Sequence, residues 1–185
     1  MKAIFLIGYM GSGKSTLGKA LARRCDVEFI DLDDYIEARA GKKIREIFAD
    51  EGEVAFRDIE RRMLVEVSGK DNVLVACGGG TPCFGDNMEL MNNCGTTVLL
   101  QTSHARLFER LKRGRHKRPL IANLSDDELD VFITEQLAKR MPHYGKSAEV
   151  FDSTLLEDEN QIEEKCEAFI SRFGLPVQGS IERKV

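Results

Sequence analysis

Residues Gly8-Tyr9-Met10-Gly11-Ser12-Gly13-Lys14-Ser15 fit the spacing G-x-x-x-x-G-K-S/T, and Thr16 follows. Each fixed position has chemistry to do. The glycines let the backbone turn so that successive N–H groups converge on phosphate oxygens. A lysine at this place reaches β- and γ-phosphates, and the hydroxyl after it is placed to ligate Mg2+. A helix beginning here adds the positive end of its dipole. Gly11, Ser12, Gly13, Lys14, Ser15 and Thr16 are therefore the candidate nucleotide-binding residues, with ATP as co-substrate and Mg2+ as cofactor. The chain has neither N-K-x-D, which reads guanine, nor a D-x-x-G switch, and 185 residues are too few for a large ATPase motor. That leaves a small-molecule kinase, whose other residues must build an acceptor site and a closing lid.

Candidates for the acceptor site follow along the chain. Asp31-Leu32-Asp33-Asp34 comes directly after the apolar stretch Val27–Ile30. In an open α/β sheet, ligands sit beyond the carboxyl ends of the strands, where these carboxylates would hold a water-bound Mg2+ or accept hydrogen bonds from a polyol. A helix start with acidic first-turn residues is the plainer use of such a tetrad and suits Asp34. Asp31 and Asp33 are kept for function. Gly78-Gly79-Gly80-Thr81 allows close approach of backbone to a ligand, a flexible turn being the alternative. In many phosphate-loop proteins an acidic residue ends the preceding strand and supports the metal. Glycines stand there in this chain, so Asp31, acting through water, is the candidate support.

Three arginines complete the set. Arg57 has Glu60 three residues on, a spacing that can hold its guanidinium in one orientation, although surface ion pairs use the same spacing more often. Arg110 to Leu120 is the densest basic run. A nucleic-acid patch is its obvious rival reading, but the run has no interleaved aromatics and is followed by Asp126-Asp127-Glu128. The preferred reading is a mobile lid over about 112–124 that delivers Arg118 to the transferring phosphate, with the neighbouring Arg115 and Lys117 mostly solvated. Arg140, near a helix end, serves either as a dipole partner or as a second anion clamp.

These residues need elements to position them, and the hydrophobic pattern supplies them. Ala3–Ile7, Val27–Ile30, Val73–Ala76, Thr97–Leu100 and Glu149–Phe151 read as strands. Lys14–Cys25, Asp33–Ala40, Ile44–Ala49, Glu53–Val67, the segment from a Ser103 cap through Leu111, Asp126–Lys139 and Glu159–Phe173 read as helices. Strands apolar on both faces, alternating with helices, imply an α/β fold with a mainly parallel sheet between helical layers. One domain, residues 1–173, is expected, followed by a frayed tail over 174–185.

Composition closes off other classes. A hydrophobic share of 42% with 31% charged residues supports a core and a soluble surface, which rules out wholesale disorder. The net charge of -4 argues against a general nucleic-acid binder. No apolar run approaches the roughly 18 residues of a membrane span, and the apolar N-terminal stretch is too short for a signal peptide. The five cysteines contain no C-x-x-C pair, and the three histidines have no metal-ligand spacing, so reduced, packed thiols and no zinc site are expected. A cytoplasmic monomer acting on small molecules, with no nucleic acid or membrane partner, is the resulting expectation.

Taken in order, the motifs resemble the shikimate kinase family. The likeness rests on the phosphate loop, the Asp31-x-Asp33 pair, Phe56-Arg57-x-x-Glu60, Gly78-Gly79-Gly80, Arg118-Pro119-Leu120 and Lys139-Arg140-x-x-x-Tyr144, spanning residues 8 to 144. The phosphate loop alone is shared by many unrelated nucleotide binders; the ordered set is far more specific. The resemblance implies a five-stranded sheet of order 2-3-1-4-5 and transfer of phosphate from ATP to the 3-hydroxyl of shikimate, in aromatic amino-acid biosynthesis. It also implies that Asp33, Arg57, Gly79 and Arg140 bind shikimate, that Arg118 is the lid arginine meeting ATP phosphates, and that Ser15 ligates Mg2+. Lys14, Asp33 and Arg118 would be the catalytic residues. The lid matches less closely, and no adenine contact is assigned there.

The chemistry of the residues agrees. Shikimate offers a carboxylate and three hydroxyls. Arginines suit the carboxylate, a charge-assisted pair contributing about 1.5–3 kcal/mol. An aspartate suits the hydroxyls as base or as orienting acceptor, and a loose transition state makes orientation the larger role. A kinase of gluconate or of a nucleoside monophosphate is the alternative, although a chain without Trp and with three Tyr offers little to stack a base. A non-catalytic ATP-binding regulator or RNA-binding module would keep Lys14 and lose the acceptor residues, all of which are present here.

Overall fold

The computed structural model describes residues 1–178, apart from the side chain of Lys117. Its sheet consists of β1 (Ala3–Ile7), β2 (Glu28–Asp31), β3 (Val73–Ala76), β4 (Gly95–Gln101) and β5 (Glu149–Asp152). All neighbours are parallel, and the strand order is β2-β3-β1-β4-β5, as the family resemblance implies. Every residue of β1 is buried, the signature of a central strand covered on both faces.

Alternation along β1 sorts the helices into two layers. Phe5 and Ile7 point into one core, Ile4 and Leu6 into the other. The first core is closed by α2 (Leu32–Ala40), α3 (Ile44–Ser68), α4 (Asn87–Cys94), α5 (His104–Arg113) and α6 (Asp126–Tyr144). The second is closed by α1 (Lys14–Arg24) and α7 (Glu159–Phe173), through Leu17, Leu21, Cys166 and Phe169. Because the strands are parallel, the carboxyl ends of β1, β2 and β3, followed by Gly8, Leu32 and Cys77, lie at one edge of the sheet, where the site is built.

Helix ends follow local chemistry. Ser103 caps α5 by accepting from the Arg106 N–H, as expected, and Ser125 with Glu128 forms a capping box on α6. The two helices expected on either side of Gly52 are present, joined end to end in α3 across Gly52, whose φ 83° and ψ 176° are not helical. The helix α4 and the single 3-10 turns at Thr81–Cys83 and Arg115–Lys117 were not legible in the pattern.

The expected tail is corrected over its first residues. Leu175 is buried in the second core, the Asp26 N–H donates to the Pro176 carbonyl at 2.8 Å, and the Gln178 N–H donates to the Arg24 carbonyl at 2.9 Å. Burial of one leucine, worth about 1.5–3 kcal/mol, is enough to hold so short a segment down. Residues 179–185 of that expected tail lie outside the described residues. Among the described residues no helix is long and apolar enough to cross a membrane, and no group of three His, Cys, Asp or Glu side chains could hold a metal ion.

Candidate active site

The phosphate loop connects β1 to α1. Gly13 sits at the helix start in the left-handed region (φ 93°), and no side chain caps the helix there. The first N–H groups of α1 are thus left for an anion. The Lys14 ammonium donates to the carbonyls of Gly8 at 2.8 Å and Tyr9 at 3.0 Å, curling back over its own loop. Burial lowers the Lys14 pKa to about 8, against the pull of Asp33 and Asp31, so the ammonium sits in a pocket built for a strongly negative ligand. The Ser15 hydroxyl donates to Asp31 Oδ2 at 2.6 Å. Asp31 also caps α2 through the Asp33 N–H at 3.2 Å, so the plainer helix-start role and the pairing with Ser15 coexist in one carboxylate. Asp34 is exposed in the first turn, as expected. The open pocket beside Lys14, Ser15 and Thr16 is lined also by Gly11, Gly13, Arg110, Arg118, Leu156 and Glu157. Ser12, in contrast, is buried beneath the loop.

A second pocket lies on the other side of Arg118. Asp33, Arg57, Gly78, Gly79, Gly80 and Arg140 line it, together with Phe48, Phe56, Glu60 and, from the segment expected to be a lid, Arg118, Pro119 and Leu120. Asp33 is pushed up to about 6, chiefly by burial, with the charges of Asp31 and Glu60 adding and Lys14 opposing. It is therefore ionised at neutral pH, yet close enough to titration to accept a hydroxyl proton readily.

Arg57 is held from three sides. It donates through Nη1 to Glu60 Oε2 at 2.8 Å and through Nε and Nη2 to Glu53 Oε1 at 3.3 and 3.1 Å. Its guanidinium lies 3.7 Å above the Phe84 ring. The surface ion-pair reading fails because Glu60 is 1% exposed, with its other oxygen accepting from the buried Thr81 hydroxyl at 2.5 Å. Such a carboxylate must be fully hydrogen-bonded to be tolerated, and here it is.

Gly79 lies close to Arg140: a Cβ there would come within 2.9 Å of Arg140 Nη1, so the guanidinium would have to shift. Its carbonyl accepts from the Tyr144 hydroxyl at 2.6 Å, which ties the glycine loop to the end of α6. Arg140, one turn before the end of α6, lines the same pocket as Asp33 and Arg57.

The lid segment departs from the expected solvated run. Arg118 donates to the Gly114 carbonyl at 2.9 Å and is half-buried, and burial lowers its pKa. Arg115 donates to the Leu124 carbonyl at 2.6 Å and pairs with Asp126, which Lys112 also grips at 2.6 Å. Arg115 is therefore a brace across the segment and not a free surface cation. The side chain of Lys117, grouped with it, lies outside the described residues. Arg110 had no assigned role, yet it is the most connected group nearby. It pairs with Glu157 at 2.7 Å and donates to the carbonyls of Gly11 at 3.0 Å, Thr154 at 3.0 Å and Ser153 at 3.3 Å. It thereby ties the phosphate loop to the segment after β5. No local spacing marked Arg110, Thr81 or Phe84, because their partners lie in distant segments.

Of the expected site residues all but Ser12 and Asp31 line one of the two pockets, Asp31 reaching the first through Ser15, and Arg118 borders both. The chain is similar to known proteins over most of its length. The family model described as shikimate kinase matches residues 10–171. The shikimate kinase of Phocaeicola vulgatus is 53% identical over 163 residues, 88% of this chain and 93% of that protein. The crystal structure of shikimate kinase from Bacteroides thetaiotaomicron superposes with a TM-score of 0.90 at 47% identity, covering 94% of this chain and 99% of that one. A shikimate kinase from Acinetobacter baumannii, solved in complex with shikimate, superposes with a TM-score of 0.77 at 28% identity, covering 94% of each chain.

Proposed function

The chain belongs to the shikimate kinase family, and we propose on that footing that it transfers the γ-phosphoryl group of ATP to the 3-hydroxyl of shikimate, giving ADP and 3-phosphoshikimate. One observation carries the reading from family to mechanism: the arginine that borders the phosphate-loop pocket also borders the pocket of Asp33, Arg57 and Arg140. A donor phosphate on one side and an anionic polyol on the other would meet at that guanidinium.

The roles follow from charge and placement. Arg57 and Arg140 bind the shikimate carboxylate, Arg57 in an orientation already set by Glu60 and Phe84. Gly79 admits the ligand beside Arg140 without a clashing Cβ. Asp33 accepts the hydrogen bond of the 3-hydroxyl and aims its oxygen at the γ-phosphorus, with little proton removal needed before a loose transition state. Lys14 exchanges its two carbonyl partners for β- and γ-phosphate oxygens, together with the N–H groups of Gly11 to Thr16. Arg118 stabilises charge that builds on the transferring group. Ser15 and Asp31 bring a hydroxyl and a carboxylate together beside the phosphate pocket, an all-oxygen pair that would hold Mg2+, Ser15 directly and Asp31 in support. Mg2+ held there would supply charge neutralisation to the phosphate groups. The same reading takes the enzyme as a cytoplasmic monomer whose partners are ATP and shikimate.

A coupled ADP-release assay against shikimate, gluconate and nucleoside monophosphates tests the reading. Turnover is expected with shikimate and to be at least about a hundredfold weaker with the others, since neither alternative offers a ring carboxylate and hydroxyls in this arrangement. Preference for gluconate or a nucleotide acceptor would overturn it.

A further inference from the structure

The two arginines of the acceptor pocket are oriented by different means. Arg57 has two carboxylates and an aromatic face. Arg140 pairs with no carboxylate among the described residues; next to the Tyr144 hydroxyl, its guanidinium lies over the ring of Tyr9, 5.1 Å from the centroid. An arginine whose donors are spoken for by a neighbouring carboxylate must exchange partners to bind a ligand. One seated on a ring keeps its N–H edge free while its plane is fixed.

Tyr9 is suited to be such a seat. It occupies a position that the phosphate-loop spacing leaves open, so the loop's own chemistry does not account for it. Its backbone is fixed, because its carbonyl accepts from the Lys14 ammonium at 3.0 Å and the Ser12 N–H at 3.1 Å. Its side chain is 2% exposed, in the same buried cluster as Tyr144. Its hydroxyl is buried and finds no hydrogen-bond partner among the described residues. A buried hydroxyl with no partner is a cost, so the ring accounts for the residue and the hydroxyl does not.

We propose that Tyr9 is a positioning residue for Arg140, its ring holding the guanidinium in the plane that meets the acceptor's carboxylate. This rests on the acceptor reading above, and it adds a specificity element contributed by the phosphate loop itself.

Steady-state kinetics on Tyr9→Phe and Tyr9→Leu provide the test, with Tyr9→Met as a second variant that keeps bulk without a π face. Phe should leave the shikimate KM within about twofold of wild type. Leu and Met should raise it by about five- to tenfold, the range expected for loss of a half-buried cation–π contact, while the ATP KM and kcat stay within about threefold. In an Arg140→Ala background the Leu change should add no further rise. An unchanged shikimate KM in Leu or Met overturns the proposal. So does a parallel rise in both KM values, which marks a damaged phosphate loop, or a loss in Phe equal to that in Leu. A readout on the wild-type protein stands whether or not those variants fold. The Arg140 Nε–H proton, identified by its loss in Arg140→Lys, should resonate upfield under the Tyr9 ring and move when shikimate is added; a random-coil position overturns the proposal. A wild-type enzyme that does not turn over shikimate fails before any variant is made, and that result removes the acceptor reading as well.

Discussion

Replacing Asp33 with Asn should stabilise the unliganded protein while abolishing its activity, and the size of the gain can be worked from the site. In the folded chain the Asp33 carboxyl is raised from 3.8 to about 6, chiefly by burial and then by the charges of Asp31 and Glu60. A group whose folded pKa exceeds its unfolded value binds its proton more tightly when folded, so its contribution is full below about pH 4 and is lost as pH rises towards 6. Two decades in that proton equilibrium correspond to about 3 kcal/mol as an upper bound. The pull of Lys14 is already contained in that shift, and the amide of Asn keeps part of the cost of burying a polar group. The net gain expected for Asp33→Asn at pH 7.5 is therefore about 1–2 kcal/mol, or roughly 3–6 °C in Tm for a chain of this size. Thermal and urea unfolding without nucleotide and with EDTA, from pH 7.5 down to pH 4, is the assay. The advantage of Asn should shrink through pH 6 to 4 and vanish near pH 4, while shikimate-dependent turnover falls at least about a hundredfold. An Asn variant no more stable than wild type at pH 7.5, or one whose advantage does not depend on pH, would refute this account of Asp33.

Other perturbations probe the remaining parts. Arg118→Ala should lower turnover by at least about a hundredfold with shikimate affinity changed less than about threefold, because an arginine acting on the transferring group is worth most in the transition state. Arg115→Ala should fall between Arg118→Ala and wild type in turnover, through loss of its brace to Asp126 and the Leu124 carbonyl; steady-state kinetics on both variants checks this. Arg57→Ala and Arg140→Ala should each weaken shikimate far more than ATP in calorimetry, and equal losses of both ligands would indicate structural damage instead. Thr81→Val leaves a buried Glu60 oxygen without its hydroxyl donor and should cost about 1–3 kcal/mol in denaturant unfolding, with a raised shikimate KM.

The parts of the fold legible in the sequence are those set by short-range pattern. β1 and β3 are apolar throughout, β4 carries the apolar run Val98-Leu99-Leu100, and the phosphate loop declares itself by spacing over eight residues. The helix α4 escaped because Asn87-Met88-Glu89-Leu90-Met91-Asn92-Asn93-Cys94 is rich in poor helix formers, and only Met88 and Met91 among its apolar residues are fully buried. Its helicity is imposed by packing on the sheet. The site divides in the same way. Lys14, Asp33, Arg57 and Arg118 stand in recognisable local strings, whereas Arg110, Thr81, Phe84 and Tyr9 act through contacts that only the assembled fold creates. Arg115 shows the opposite error: a cation in a basic run looks solvated until Asp126, eleven residues on, folds back to meet it. The docked segment 174–178 is a further instance, since Leu175 stands alone as an apolar signal and its partners lie in the second core.

The central claim, that phosphate passes from ATP to one hydroxyl of shikimate, is tested most directly by the product. Purified enzyme with ATP, Mg2+ and shikimate should release ADP in one-to-one amount with a new phosphomonoester. Its 31P signal in a proton-correlated spectrum should couple to the ring proton at carbon 3. ADP release without that cross-peak, or a phosphate coupled to a different ring position, would contradict the account.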